Sequence, residues 1–194
     1  MKKILITSCA ILAFAAPVFA DHHAEQGMDD AAAMEKWMAL MQPSEAHQAM
    51  EYFVGDWTFK NTSWMMGEEP TVSEGTQTCK LVMGGRYLIS KVNSTMMGMP
   101  FEGMSVAGFD NGAQEHWSLW IDNFGTGNMM GVGTEADGVL TMSGTWADAV
   151  MGDMPFKWVQ KIKDDDNYVF EMHMKMGEEM SKVMEIAYTR VKSS

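Results

Sequence analysis

Apolar and polar positions change period along this chain, and the changes divide it. Residues 4–14 form a largely apolar run behind Lys2 and Lys3, followed by Ala15-Ala16-Pro17 and the small-residue ending Val18-Phe19-Ala20. Basic, apolar and small-residue segments in that order predict a secretory leader over 1–20, cut between Ala20 and Asp21. The run is short for a membrane span, and no basic stop follows it. A polar stretch with His22-His23 comes next. Met34, Trp37, Met38 and Met41 then recur at helical spacing. They predict an amphipathic helix over 31–42, begun by Asp29 or Asp30 and stopped by Pro43. Ser44 can cap a second short helix that carries Ala46, Met50 and Phe53 on one side.

From Gly55 onward the period is two. Candidate strands fall near 57–65, 73–82, 86–94, 101–109, 115–122, 128–134, 139–147, 155–163, 167–176 and 181–191. Between them stand turn formers: Gly84-Gly85, Asp110-Asn111-Gly112, Asp137-Gly138, Asp164 to Asn167, and Gly177-Glu178-Glu179. Such residues accept the left-handed backbone of tight hairpins. Tyr168, Phe170, Met172, Met174 and Met176 share one face, with Glu171, His173 and Lys175 on the other. Alternation of this kind means one wet and one buried face. The prediction is an all-β protein: an antiparallel up-and-down barrel of about ten strands, closed to remove its edges, after two short helices. Its expected parts are a leader over 1–20, a polar segment and helix over 21–43, and a barrel domain over 44–194.

Composition narrows the partners. The 194 residues carry a formal net charge of −12, and losing Lys2 and Lys3 with the leader would make the chain more acidic still. Such a polyanion is repelled by nucleic acid and by anionic membranes. No apolar run after the leader reaches a spanning length. A periplasmic or secreted location is expected. Cys9 lies inside the leader in no acylation motif, which leaves Cys79 without a disulfide partner. It is expected as a half-buried strand thiol rather than a nucleophile.

Gly55-Asp56-Trp57 opens the first strand directly after a short helix, and Arg190 lies in the last strand. Together they resemble the calycins, the group of lipocalins and fatty-acid-binding proteins. There the arginine packs across the tryptophan and helps close one barrel end. A resemblance to the bacterial family called domain of unknown function 1579 runs from about Ser44 to Arg190. It is carried by Val54-Gly55-Asp56-Trp57, Met83-Gly84-Gly85-Arg86-Tyr87-Leu88 and Met96-Met97-Gly98-Met99-Pro100-Phe101-Glu102-Gly103. Gly108-Phe109-Asp110-Asn111, Trp120 to Gly127 and Met184 to Arg190 extend it. The resemblance implies a lipocalin-like barrel with Gly55, Trp57 and Arg190 in structural roles. It implies no activity.

Candidate chemistry is sparse. Seven tryptophans and nine phenylalanines fall largely in strands. Phe59, Trp120, Met142, Trp146, Phe170 and Met172 are the expected lining of a cavity for a small apolar or amphipathic molecule, with Trp158 also in a strand. Ten strands enclose more space than eight, which side chains can just fill. The 84–86 reversal and a loop over 96–103 are the expected mouth. Methionine is abundant, at 23 residues, and thioethers bind Cu(I). Met172, Met174 and Met176 in one strand, or Met96, Met97 and Met99 in the loop, make Cu(I) handling the alternative, with oxidant scavenging beside it. Against both stands the spread of methionine along the chain, since Met also fills irregular cores.

No Gly-x-Ser-x-Gly, His-Glu-x-x-His or Cys-x-x-Cys motif is present, so no catalytic residue and no cofactor are assigned. His47, His116 and His173 are isolated, and His47 is expected as a partly exposed helix histidine that could gate an opening. Asp122 and Asn123 beside Gly125-Thr126-Gly127 could hold a polar head group but fit an Asx turn better. Asp164 to Asn167 has the composition of a calcium loop without its spacing.

Overall fold

The computed structural model describes residues 30–65, 69–148 and 150–192. The leader with its Ala20–Asp21 junction, Cys9 and the His22–His23 pair lie outside the described residues. Two helices come first, α1 (Asp30–Leu40) and α2 (Glu45–Ala49), the second continued by a 3-10 turn over Met50–Phe53. Ten strands follow: β1 (Gly55–Ser63), β2 (Thr71–Val82), β3 (Tyr87–Met96), β4 (Met99–Asp110) and β5 (Glu115–Asp122), then β6 (Met129–Ala136), β7 (Val139–Asp148), β8 (Gly152–Asp164), β9 (Asn167–Met176) and β10 (Glu179–Arg190). Each pairs antiparallel with its neighbour in sequence, and β1 also pairs with β10, so the sheet is a closed barrel. Closure leaves no strand edge to template aggregation.

The register fixes which residues face inward. Trp57 is paired with Gln77 on β2 and with Arg190 on β10. Following such pairs round the ring assigns one alternate set per strand to the interior. A bulge between Lys182 and Met184 adds Val183 to the buried set and leaves Lys182 beside the outward His173. That bulge reconciles the pattern at 182–190, where strict alternation would have put Lys182 inside.

The two ends of the barrel differ. The 83–86, 111–114, 137–138 and 165–166 turns lie at one end, with α2 and the 3-10 turn; this is the helix end. The Ser44 cap holds α2: His47 Nδ1 accepts from the Ser44 backbone N–H at 3.0 Å, with the Ser44 hydroxyl at 2.9 Å. His47 is buried, edge-on to Phe109 at 5.9 Å, not partly exposed as expected. A histidine three residues after the cap can reach back where a glutamine or glutamate usually does, and that bond draws the ring under the turn.

α1 departs from expectation. It buries none of its residues, and Met34, Trp37, Met38 and Met41 are all exposed. The carbonyls at and just after its C-terminus are anchored: Arg86 donates to Met41 O at 2.8 Å, and Asn111 Nδ2 to Leu40 O and Gln42 O at 2.9 and 2.8 Å. These side chains satisfy acceptors that a helix end leaves open.

Candidate functional site

Closure at the helix end depends on a few groups. Gly55 has φ +117°, a conformation glycine reaches without strain, and it turns the chain into β1. Trp57 is 0% exposed, and its indole N–H donates to Phe53 O at 2.8 Å. The Arg190 guanidinium lies 4.1 Å from the Trp57 ring centroid and 5.4 Å from that of Tyr52. It donates to Val54 O at 2.8 Å, to Tyr52 O, and to Asp165 O at 3.3 Å. The Asp166 carboxylate stands 3.6 Å away. A planar guanidinium can stack and donate at once, which an ammonium cannot. The cation is thereby fully committed to the end of the barrel.

Above this plug, Tyr168 and Tyr188 stack at 4.3 Å. Gln77 Nε2 donates to Tyr168 Oη at 2.6 Å, and the Cys79 thiol to Ser90 Oγ at 3.2 Å. Cys79 is fully buried, deeper than the expected half-buried thiol, because its neighbours Gln77 and Ser90 face inward with it. Burial pushes the Cys79 thiol up, and the Tyr168 and Tyr188 phenols with it, so all three stay protonated at neutral pH.

Among the described residues, all but one of the buried apolar side chains fall in two clusters rather than one. The first, at the helix end, contains Met50, Trp57, Phe59, Cys79, Leu88, Val92, Tyr168 and Tyr188. The second contains Met142, Phe156, Trp158, Met172, Met174 and Val183. Trp120 and Phe170 pack against both and remain partly exposed. Inward Asn61, Ser105 and Ile186 are partly exposed as well. Fully occupied interiors bury such positions completely. We call the barrel interior where the two clusters meet, around Trp120 and Phe170, the lumen.

Aromatic rings lie along its wall instead of across it. A Cβ on Gly103 would come within 2.3 Å of the Trp120 ring, one on Gly75 within 2.4 Å of Phe59, and one on Gly144 within 2.6 Å of Phe156. Each glycine gives a neighbouring strand's ring a place to lie flat, a known device of curved sheets. Of the expected lining residues, all six face inward. Phe59, Met142 and Met172 are buried in the two clusters, while Trp120, Trp146 and Phe170 keep exposed surface.

The polar part of the wall was missed. Asn61, Ser73, Gln77, Ser90, Ser94, Ser105 and Ser118 line the inner face of β1 to β5. Asn61 Nδ2 donates to Ser73 Oγ at 3.3 Å, but its Oδ1 is buried with no hydrogen-bond partner among the described residues. The period-two recurrence of serine and glycine was visible in the sequence. It was ambiguous because both faces of those strands are polar.

The expected mouth is corrected. The 84–86 reversal belongs to the helix end, whereas 96–103 belongs to the far end. The latter is no loop: Met96 pairs with Met99 across a two-residue turn, Met97-Gly98, with φ +53° and +77°. Positive φ at both positions gives the tight turn whose twist matches the strands. The far end nevertheless gathers exposed apolar groups at its turns: Trp64 and Met65, Met96, Met97 and Met99, Phe124, Val150 and Met151, Met176 and Met180. Methionine is therefore less dispersed in space than along the chain. The Met172–Met174–Met176 row does not present three thioethers together. Met174 is 1% exposed and Met172 is buried beside it, while Met176 stands at the far rim, 53% exposed.

The polar candidates serve local structure. Asp122 accepts from Trp120 Nε1 at 2.8 Å and from Phe124 N at 2.9 Å, and Asn123 Oδ1 accepts from Glu102 N at 3.0 Å. Asp164 Oδ1 accepts from Asp166 N and Asn167 Nδ2, closing a turn. His173 faces outward and pairs with Glu171 at 3.0 Å. Among the described residues no group of three or more His, Cys, Asp or Glu could hold a metal ion. Two hollows, of about 330 Å³ beside Arg86, Tyr87 and Trp117 and of about 360 Å³ around Gly103, include none of the six expected lining residues.

A closed antiparallel barrel with a helical turn and a Trp–Arg clasp at one end fits a calycin-like description. The chain belongs to the family described as "Protein of unknown function (DUF1579)", whose profile matches residues 42–190. No curated protein matches it. Among solved structures it is similar to the crystal structure of Rv2717c from M. tuberculosis, with TM-score 0.54 at 12% identity over 78% of this chain and 100% of that one. It is also similar to a redesigned β-barrel, b11L5F_LGL (TM-score 0.40, 14% identity, 74% and 96% covered), and to EF1p2_mFAP2b bound to DFHBI (TM-score 0.42, 11% identity, 75% and 99% covered). At 12% identity the likeness to Rv2717c concerns the fold alone.

Proposed function

We propose that this protein is an exported carrier that holds one small amphipathic molecule in the barrel lumen. The observation that carries the reading is the split core. Trp120 and Phe170 bridge two buried clusters yet remain partly exposed, with aromatic and methionine side chains inward on β7 to β9 and serines interleaved with apolar side chains inward on β2 to β5. A ligand between them would remove apolar surface from water, about 25 cal/mol per Å² before the costs of association. Its entry is assigned to the far end, where flexible thioethers, and no helix among the described residues, border the turns. The leader pattern over 1–20 supports a periplasmic or secreted location. Titration with the neutral dye Nile red tests the reading. Saturable binding is expected, and Gly103→Leu, which drives the Trp120 ring off the wall into the lumen, is expected to weaken it at least tenfold. Absence of binding to the wild-type protein overturns the carrier role.

The clustering of methionine at the far end favours one second reading, Cu(I) binding at Met96, Met97 and Met99. Competition against a chromogenic Cu(I) chelator tests it. Equal competition by wild type and by the triple Met→Leu variant eliminates it.

A further inference from the structure

We infer that the lumen selects an uncharged amphiphile bearing a hydrogen-bond donor and rejects carboxylates such as fatty acids. The inference rests on the carrier reading above and adds the chemistry of the head group. It follows from where the register places charge. Lys60, Lys80, Lys91, Lys157, Lys175 and Lys182 all occupy outward positions. The one inward cation among the described residues is Arg190, at the helix end. It is held by the carbonyls of Tyr52, Val54 and Asp165 and by the Asp166 carboxylate, and it is covered by Trp57.

Inward charge at the far end is acidic: Asp122, Asp148 and Glu179 occupy the inward register there. A carboxylate ligand would meet like charge at entry and find no counter-ion inside. A buried anion without a partner is strongly disfavoured. The whole chain, at −12, adds to that repulsion.

What the interior does offer is neutral hydrogen bonding. Ser105 faces the lumen from β4, Ser73 Oγ there accepts from Asn61 Nδ2 and Ser94 Oγ donates to Glu74 O, while Asn61 Oδ1 is an acceptor with no partner among the described residues. A buried acceptor left unpaired is costly, so a ligand that brings a donor to it gains over one that does not. A site built on such a group discriminates strongly against analogues lacking the matching hydrogen. The ligand's apolar body then lies along Phe170, Ile186 and Trp120, with its hydroxyl or amide toward Asn61.

The test is displacement of Nile red from the full chain at pH 8 by 1-dodecanol, dodecanamide, methyl dodecanoate and dodecanoate. Expected is displacement by the alcohol and the amide at concentrations at least tenfold below those needed by the ester and by dodecanoate. Asn61→Leu, checked for folding by its melting curve, is expected to reduce the alcohol-to-ester ratio toward one. Dodecanoate displacing as well as dodecanol overturns the inference and leaves the carrier role standing. An unchanged ratio in folded Asn61→Leu overturns the assignment to Asn61. Failure of Nile red to bind the wild-type protein at all overturns the carrier role and this inference with it.

Discussion

At the scale of single residues, Arg190 combines stacking on Trp57 with donation to three carbonyls that close the barrel. Arg190→Met would keep much of the apolar contact and leave the Val54 and Tyr52 carbonyls without their donor. The expected loss is about 2–4 kcal/mol, read as a lower urea midpoint. Arg190→Lys should recover less than half of it, because an ammonium cannot stack and donate in the same plane. His47 sets a pH dependence. Burial holds its pKa below the ordinary 6.5, outweighing the opposing pull of the Phe109 backbone, and the Arg86 charge adds to the lowering. His116 is held low chiefly by burial as well. Both stay neutral in the folded chain at a pH where the unfolded chain binds protons. Their contribution is therefore complete above about pH 6.5 and is lost as the pH falls below it. Urea midpoints should drop between pH 7.5 and 5.5, and His47→Gln should flatten that drop. The Trp57–Arg190 pair was legible in advance because its two motifs carry a family resemblance. The burial of His47 was not, because a short-helix histidine gives no periodic signal of what covers it.

At the scale of elements, turn chemistry and alternation located all ten strands, since glycine and Asx residues mark most of the hairpins. Two elements misled. The 96–103 stretch reads as a loop because it holds methionine, glycine and proline, but a two-residue turn needs only two positive-φ residues, and Met97-Gly98 supplies them. Helical spacing of Met34, Trp37, Met38 and Met41 predicts a face that packs, yet periodicity identifies a face without naming its partner. The partner is absent among the described residues, and α1 hangs from Arg86 and Asn111 by its carbonyls. Removing the chain before Gln42 should consequently change the barrel's unfolding free energy by less than about 1 kcal/mol, measured by urea titration of full-length and shortened protein. A larger loss would show that α1 buries apolar surface in solution.

At the scale of the whole molecule, methionine sorts by depth and by end. Met174, Met142 and Met172 are buried, while Met83 and Met97 are more than two-thirds exposed. Limited peroxide treatment followed by peptide mass mapping should oxidise Met83 and Met97 first and leave Met142, Met172 and Met174 reduced until the barrel unfolds. Early oxidation of Met174 would contradict the packing of the second cluster. The sequence could show that methionine was abundant. It could not show that turns far apart in the chain bring so many of them to one rim, because that grouping exists only once β1 meets β10.

The same seam governs when the fold can exist. Trp57 is near the start of the ring and Arg190 is its last residue, so the final hydrogen-bonded ladder joins positions separated by most of the polypeptide. Ladders of such long range form late and slowly. A chain that emerges from its N-terminus therefore holds nine strands' worth of unsealed sheet, with β1 and β9 both bare at their edges, until the closing segment is delivered. Losing β10 would not trim the barrel. It would leave it permanently unzipped, with two sticky margins where the ten-strand ring has none.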